Sequence, residues 1–127
     1  MDTATAIFTP EDGDPTQSLT GQFNFAQITP TKVHVSGQLT SGMFDKDINN
    51  YKFWIADNLG LLLYELSEGF IKNNEGWNIN SNGGTSILQS DFEKGFSVKG
   101  TYGIINLKLY ISLTDKILGS AQIKEIV

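Results

Sequence analysis

Hydrophobic and polar residues alternate with a period of two along several short stretches of this chain, as in β-strands that bury one face. The clearest alternation spans 105–113, where Ile or Leu occupies every second position. Similar stretches are 3–9, 22–27, 31–39, 50–57, 61–66 and 117–126. Glycine-rich turns separate them. The pattern predicts one all-β domain over residues 1–127, an antiparallel Greek-key β-sandwich or flattened barrel of about eight strands.

Two of these stretches lead to specific expectations. In 50–57 the alternation turns Phe53 inward and directs Trp54 and Ala56 outward. In 61–66 the run of three leucines after Gly60 predicts a buried strand rather than a helix.

The segment 73–84 is the least regular part of the chain, because its Asn- and Gly-rich runs are typical of turns. Within it, Trp77 and Ile79 are interpreted as a short strand between two turns.

Charge and composition exclude several classes of function. The chain has no cysteine and no arginine, carries nine scattered lysines, and has a net charge of −5. Binding to nucleic acid needs clustered basic charge, so no such partner is expected. No apolar run approaches the ~18 residues that cross a membrane, so membrane insertion is not expected. The polar N-terminus and the lack of glycosylation sequons slightly favour the cytoplasm, and a mature secreted form stays open.

Several segments resemble the copper–zinc superoxide dismutase family in their order along the chain. Residues 4–8, 21–25 and 32–37 are similar to that family's first three strands. Residues 51–60 lie where the family has its Gly-Phe-His-Val-His-Glu segment, and residues 107–112 and 118–123 resemble its last strands. The resemblance implies a superoxide dismutase-like β-sandwich.

The family's copper ligands are missing at the matched positions. Aligned on Phe53, two copper histidines correspond to Trp54 and Ala56, and a third corresponds to about Ser112. The family's active-site arginine and its cysteine are also absent. The resemblance therefore implies a degenerate member without metal ligands, and we expect no metal, no other cofactor and no enzymatic activity.

Other candidate sites are weak in sequence. His34, the only histidine, lies on the polar face of its stretch and is interpreted as an exposed strand residue rather than a general base. Calcium needs oxygen ligands, but neither acidic cluster has the spacing of a known calcium loop. These clusters are Glu11, Asp12 and Asp14, and Asp45 and Asp47. Residues 114–119 weakly resemble the last loop of C2-type sandwiches, so a calcium-dependent role stays an alternative.

Aromatic residues are the best candidates for binding, because exposed tryptophan and tyrosine often anchor sugars or protein partners. The predicted binding residues are Trp54, Trp77, Tyr51 and Tyr64. The alternative for Trp54 is a covered side chain that only fills space.

The sequence thus predicts a non-catalytic binding or assembly module that mediates protein–protein contacts. A protein partner or self-association is expected, and the apolar residues Ile7, Ile126 and Val127 favour a dimer or a larger assembly. The alternative is a lectin that binds a glycan through its Trp, Tyr and Asn/Asp/Gly loops.

Overall fold

The computed structural model describes residues 2–9, 19–73, 78–93 and 95–126. Its strands are β1 (Thr3–Phe8), β2 (Thr20–Thr29), β3 (Lys32–Ser41), β4 (Tyr51–Ala56), β5 (Leu62–Glu65), β6 (Leu88–Glu93), β7 (Lys108–Leu113) and β8 (Lys116–Glu125). A 3-10 turn, Ile48–Asn50, precedes β4, and the helix α1 (Ser67–Asn73) follows β5. No helix in the described ranges is long and apolar enough to span a membrane.

The eight strands form one sheet in the order β5-β4-β7-β8-β1-β2-β3-β6. All neighbouring strands pair antiparallel. The sheet curls so that the inward-facing residues of all strands share one core. The prediction of an antiparallel Greek-key fold of about eight strands is confirmed. Strands β5 and β6 are the two ends of the sheet, and no further strand of the described residues pairs with the outer side of either one.

The core is built around phenylalanine rings. Phe23 lies opposite Gly37 in the β2–β3 pair, and both face inward. A Cβ atom at Gly37 would lie 2.3 Å from the Phe23 ring, so this ring occupies the space that a larger residue would need. Aromatic side chains packed over cross-strand glycines stabilise sheets in this way.

Helix α1 was not predicted, and it depends on tertiary packing. A seven-residue helix is too short to be stable alone. Its Phe70 is fully buried, with ring centroids 5.2 Å from Phe53, 5.7 Å from Phe23 and 5.7 Å from Phe92. These ring contacts, together with the hydrogen bond of 2.7 Å from the Phe53 N–H to the Ser67 hydroxyl, hold the helix against the inner surface of the sheet.

Strand β6 was also not among the stretches singled out by alternation. Leu88 and Ser90 face inward, whereas Gln89 and Asp91 face outward. Because Ser90 is polar yet buried, the hydrophobic alternation is hidden at this position. The strand forms by pairing with β3 in register from Lys32↔Glu93 to Gly37↔Leu88.

Three details of the predicted strands are wrong. Strand β7 starts at Lys108 instead of residue 105, because Asn106 adopts a positive φ of 74° in a turn. The leucines around β5 are exposed instead of buried, because β5 is an end strand. Ala56 is buried although the alternation directs it outward; it lies between the longer Leu62 and Lys108 on its two neighbouring strands.

Candidate functional site

Trp54 lies on the outer face of the sheet and is partly buried there. Its cross-strand partner on β7 is Tyr110, and the two rings stack with centroids 5.4 Å apart and planes inclined by 7°. One face of each ring is therefore covered by the other ring. On the other side of β4, Trp54 lies opposite Glu65 of β5. Trp54 is thus neither a free anchor nor a fully buried plug, but half of a fixed aromatic pair.

The structure does not bring the other predicted aromatic residues to this pair. Tyr51 is only 1% exposed, so its side chain is not available at the surface. This burial corrects the prediction that Tyr51 is a binding residue. Tyr64 faces inward with Ile55, and its ring packs 5.3 Å from Phe96. Trp77 lies outside the described residues. Ile79, its predicted strand companion, forms only an isolated bridge with Thr85.

A rigid turn connects β4 to β5. The Asp57 carboxylate accepts hydrogen bonds from the backbone N–H groups of Leu59 and Leu61, both at 2.9 Å. The Asp57 N–H donates to the Leu61 carbonyl at 3.1 Å, and Gly60 takes a φ of 86° that favours glycine. The side chain of Leu59 at the tip is 95% exposed. The Asp57 carboxylate thus fixes the backbone of the turn, and the turn presents the exposed side chain of Leu59 at its tip.

More leucines follow Leu59 on the same connection. Leu61, Leu62 and Leu63 are 64%, 49% and 40% exposed. Leu62 lies opposite Ala56, and the register shift beside it leaves Leu63 without a partner on β4. Such a bulge twists a strand and changes where its side chains point. We call Trp54 together with Leu59, Leu61, Leu62 and Leu63 the hairpin surface.

The single histidine is paired with a carboxylate. His34 Nδ1 lies 2.6 Å from Asp91 Oδ1 across the β3–β6 pair, and both side chains are well exposed. The neighbouring Lys32 and Glu93 form a second cross-strand pair at 3.3 Å. His34 therefore lies on the outer face, as predicted. Its partner on the β2 side is Ala26, which offers no nucleophile.

The acidic residues before β4 bind their own loop. Asp45 Oδ1 accepts from the Asp47 N–H at 2.8 Å, and Asp45 Oδ2 accepts from the Asn50 amide at 3.1 Å. These donors lower the pKa of Asp45. Asp47 caps the 3-10 turn by accepting from the Asn49 N–H at 3.0 Å. The two carboxylates thus act as loop caps. Glu11, Asp12 and Asp14, the other candidate calcium cluster, lie outside the described residues.

The Tyr51 hydroxyl ties this loop to the core. It donates to the Asp45 carbonyl at 2.8 Å and accepts from the Asp45 N–H at 2.9 Å. Burial raises the pKa of this phenol. Tyr51 is therefore a structural residue, because its only polar atom is used to hold the loop.

The Asn- and Gly-rich segment 78–86 is ordered by similar contacts. The Asn80 side chain accepts from the N–H groups of Asn82 and Gly84, both at 3.0 Å. Lys46 donates to the carbonyls of Ile79 and Asn80 at 3.0 and 2.9 Å. The turn chemistry predicted from the sequence is present, and it fastens this loop to the one before β4.

Solved structures of other proteins match this strand arrangement. The copper(II) form of Candida albicans superoxide dismutase 5 aligns with a TM-score of 0.65 and 15% identity, over 99% of this chain and 93% of that chain. The fold is superoxide dismutase-like. A mutant form of the same enzyme aligns with a TM-score of 0.63 and 16% identity, over 97% and 88% of the two chains. The clock protein EA4 aligns with a TM-score of 0.51 and 14% identity, over 96% and 93%. No family model and no curated protein sequence matches this chain.

At the positions that the sequence resemblance matches to the copper ligands of superoxide dismutases, this chain has no histidine. These positions hold the stacked indole of Trp54, the buried methyl of Ala56 and Ser112, a residue that is 4% exposed. Ser112 lies opposite Lys52 rather than Trp54. Copper sites of this type need several imidazole nitrogens, which these groups cannot replace. Among the described residues, no group of three His, Cys, Asp or Glu side chains could hold a metal ion.

Sequence reasoning missed two residues of this site, Tyr110 and Leu59. Tyr110 is one of the alternate, outward positions of the stretch 105–113, but only the β4–β7 register shows that it meets Trp54. Leu59 had a readable signal, because Asp-Asn-Leu-Gly is a turn sequence that places an apolar residue at a turn tip.

Proposed function

We propose that this domain is a non-catalytic binding module that holds a protein partner at its β4–β5 edge. The observation that supports the proposal most is the presentation of Leu59, which is 95% exposed on a turn fixed by Asp57. A scattered exposed leucine is ordinary on a protein surface, but contiguous apolar residues mark interaction sites. Four leucines over five residues, next to a partly exposed tryptophan, form such a surface.

The backbone at this edge supports the same proposal. β5 is an end strand of the sheet, so one side of its backbone has no strand partner within the described part of the chain. Unpaired strand edges are sites where a partner chain adds main-chain hydrogen bonds. Side chains of the hairpin surface would add apolar contacts. Because the turn is already ordered, binding costs less conformational entropy than it would with a mobile loop.

The donor set supports the non-catalytic part of the proposal. The metal-ligand positions of the resembled family hold Trp54, Ala56 and Ser112, none of which binds copper as imidazole does. His34, the only imidazole, is paired with Asp91 on β6, away from the β4–β5 edge.

The test compares variants of the hairpin surface with a matched control. Leu59→Ser with Leu61→Ser removes two exposed leucines, and we expect the stability of the domain to change by less than about 0.5 kcal/mol. Tyr102→Ser is the control, because Tyr102 is similarly exposed at 65% but lies in the 95–106 loop. Each protein is immobilised, exposed to extract from the native source, and its retained proteins are quantified by mass spectrometry.

We expect wild type and Tyr102→Ser to retain the same partner, and the double leucine variant to retain at least about tenfold less. A third variant, Asp57→Ala, keeps every leucine but loosens the turn, so it should bind less well than wild type. Retention that is equal in all variants would contradict the proposal. Sedimentation velocity shows whether the partner is a second copy, since the monomer has a mass of 14.0 kDa.

The lectin alternative has less support, because the Trp54–Tyr110 stack leaves only one face of each ring for a sugar. It would be favoured instead by glycan-array binding that Trp54→Ala abolishes and the double leucine variant retains.

A further inference from the structure

A hollow on the outer face of β7, β8 and β1 contains two lysines that form no salt bridge with the described residues. Lys108, Lys124, Gln122, Ser120 and Thr5 line it, with Ile7 at one side, and its volume is about 320 Å³. No acidic residue is among the described residues that line it. Elsewhere in the described structure, by contrast, Lys32 and Lys99 are paired with carboxylates. The hollow thus presents two positive charges side by side in a protein whose net charge is −5.

The strand register places the two lysines close enough together to contact the same small ligand. Lys108 of β7 lies directly opposite Gln122 of β8, and Lys124 is two residues further along β8 on the same face. Diagonal neighbours of this kind lie about 7–8 Å apart, and their Cβ atoms are somewhat closer. Two long, flexible ammonium side chains at this separation can contact one anion from two sides.

From this arrangement we propose that the hollow binds the phosphate group of a small phosphate monoester. A phosphate monoester carries a charge of about −1.5 to −2 at neutral pH, which two lysines neutralise. The Gln122 amide can donate a further hydrogen bond to a phosphate oxygen. The Thr5 hydroxyl is less suited to this role, because it donates to the Phe23 carbonyl at 3.2 Å.

The apolar wall of the hollow supports an ester rather than the free ion. Ile7 is 48% exposed where it lines the hollow, and the lysine stems add methylene groups. These groups offer nothing to a bare phosphate but can contact a small organic group that is attached to it.

A bound dianion would offset the repulsion between the two ammonium groups. Two like charges that face the same hollow repel each other, and no described carboxylate compensates them. A ligand that binds only the folded state also stabilises it by mass action. Glycerol 3-phosphate should therefore raise the melting temperature more than sodium chloride of equal ionic strength does.

The experiment titrates the ¹⁵N-labelled full chain with glycerol 3-phosphate, inorganic phosphate, sulfate and glycerol, and follows the backbone amide shifts. We expect saturable shifts at residues 120–124 with the two phosphates, tighter binding of the ester, and no shifts with glycerol. Lys108→Gln and Lys124→Gln should each weaken binding by about three- to tenfold, the range of an exposed charge-assisted hydrogen bond. Both variants should keep the wild-type spectrum elsewhere.

Lys116→Gln is the matched control, because Lys116 is an exposed lysine at the other end of the β7–β8 pair. It removes the same charge and should change the affinity less than about twofold. If Lys116→Gln weakened binding equally, the loss of net charge alone would explain the effect, and the proposal would be overturned. Shifts that do not saturate, or sulfate that binds as tightly as glycerol 3-phosphate, would overturn it as well. Partner capture by the hairpin surface plays no part in this test.

Discussion

The stack of Trp54 on Tyr110 gives the sharpest test of the structure, because truncating either ring has a calculable cost. Trp54→Ala removes a partly buried indole and its ring contact at 5.4 Å. Truncating a fully buried tryptophan costs about 3–5 kcal/mol, and partial exposure reduces this loss. We therefore expect about 2–4 kcal/mol for Trp54→Ala.

The contribution of the stack is separated by a double-mutant cycle with Tyr110→Ala. Stacked aromatic pairs add about 0.5–1.5 kcal/mol beyond the area that they bury. The double variant should therefore be less destabilised than the sum of the two single variants by this amount. Trp54→Phe, which keeps a ring on Tyr110, should retain most of the coupling.

Unfolding in urea, followed by far-UV circular dichroism, measures the stability of wild type and of these four variants without relying on the fluorescence of the residue that is changed. Tyr102→Ala serves as the exposed aromatic control, with an expected change of less than about 0.5 kcal/mol. A cost below about 1 kcal/mol for Trp54→Ala would show a free surface anchor instead. A coupling energy near zero would refute the stack itself, whatever the size of the single effects.

Two further predictions concern elements that position the site. Phe70→Ala should destabilise the domain by about 3–5 kcal/mol and unfold α1 first, which hydrogen exchange of the helix amides would detect; protection as in wild type would contradict this role. Asp45 has a pKa below its ordinary 3.8 because the Asp47 N–H and the Asn50 amide favour its charged form. Its contribution is complete above the unfolded pKa and is lost as pH falls through the folded value, so the stability difference between wild type and Asp45→Asn should shrink below about pH 4 in urea titrations. If the stability difference between wild type and Asp45→Asn stayed constant with pH, the hydrogen bonds of the Asp45 carboxylate would be excluded as its cause.

The hydrophobic alternation determined the fold class and the approximate positions of seven strands. A strand with one buried face must alternate, so the inward positions of Phe23, Phe53, Leu109 and Ile111 could be read directly from the sequence. The resemblance to superoxide dismutases correctly implied the fold, and the missing histidines were also visible at that stage. The outward position of Trp54 followed from the same alternation.

Tertiary structure alone decided which outward residues meet and which strands lie at the sheet ends. The alternation gives the face of a strand but not its neighbour, so Tyr110 became the partner of Trp54 only through the β4–β7 register. Local sequence also cannot show that α1 forms, because its stability comes from the contacts of Phe70 with distant rings. The leucines of β5 were predicted to be buried because a run of apolar residues fits an interior strand. They are exposed because a strand is buried only if other elements cover it, and the topology of this sheet places β5 at its edge.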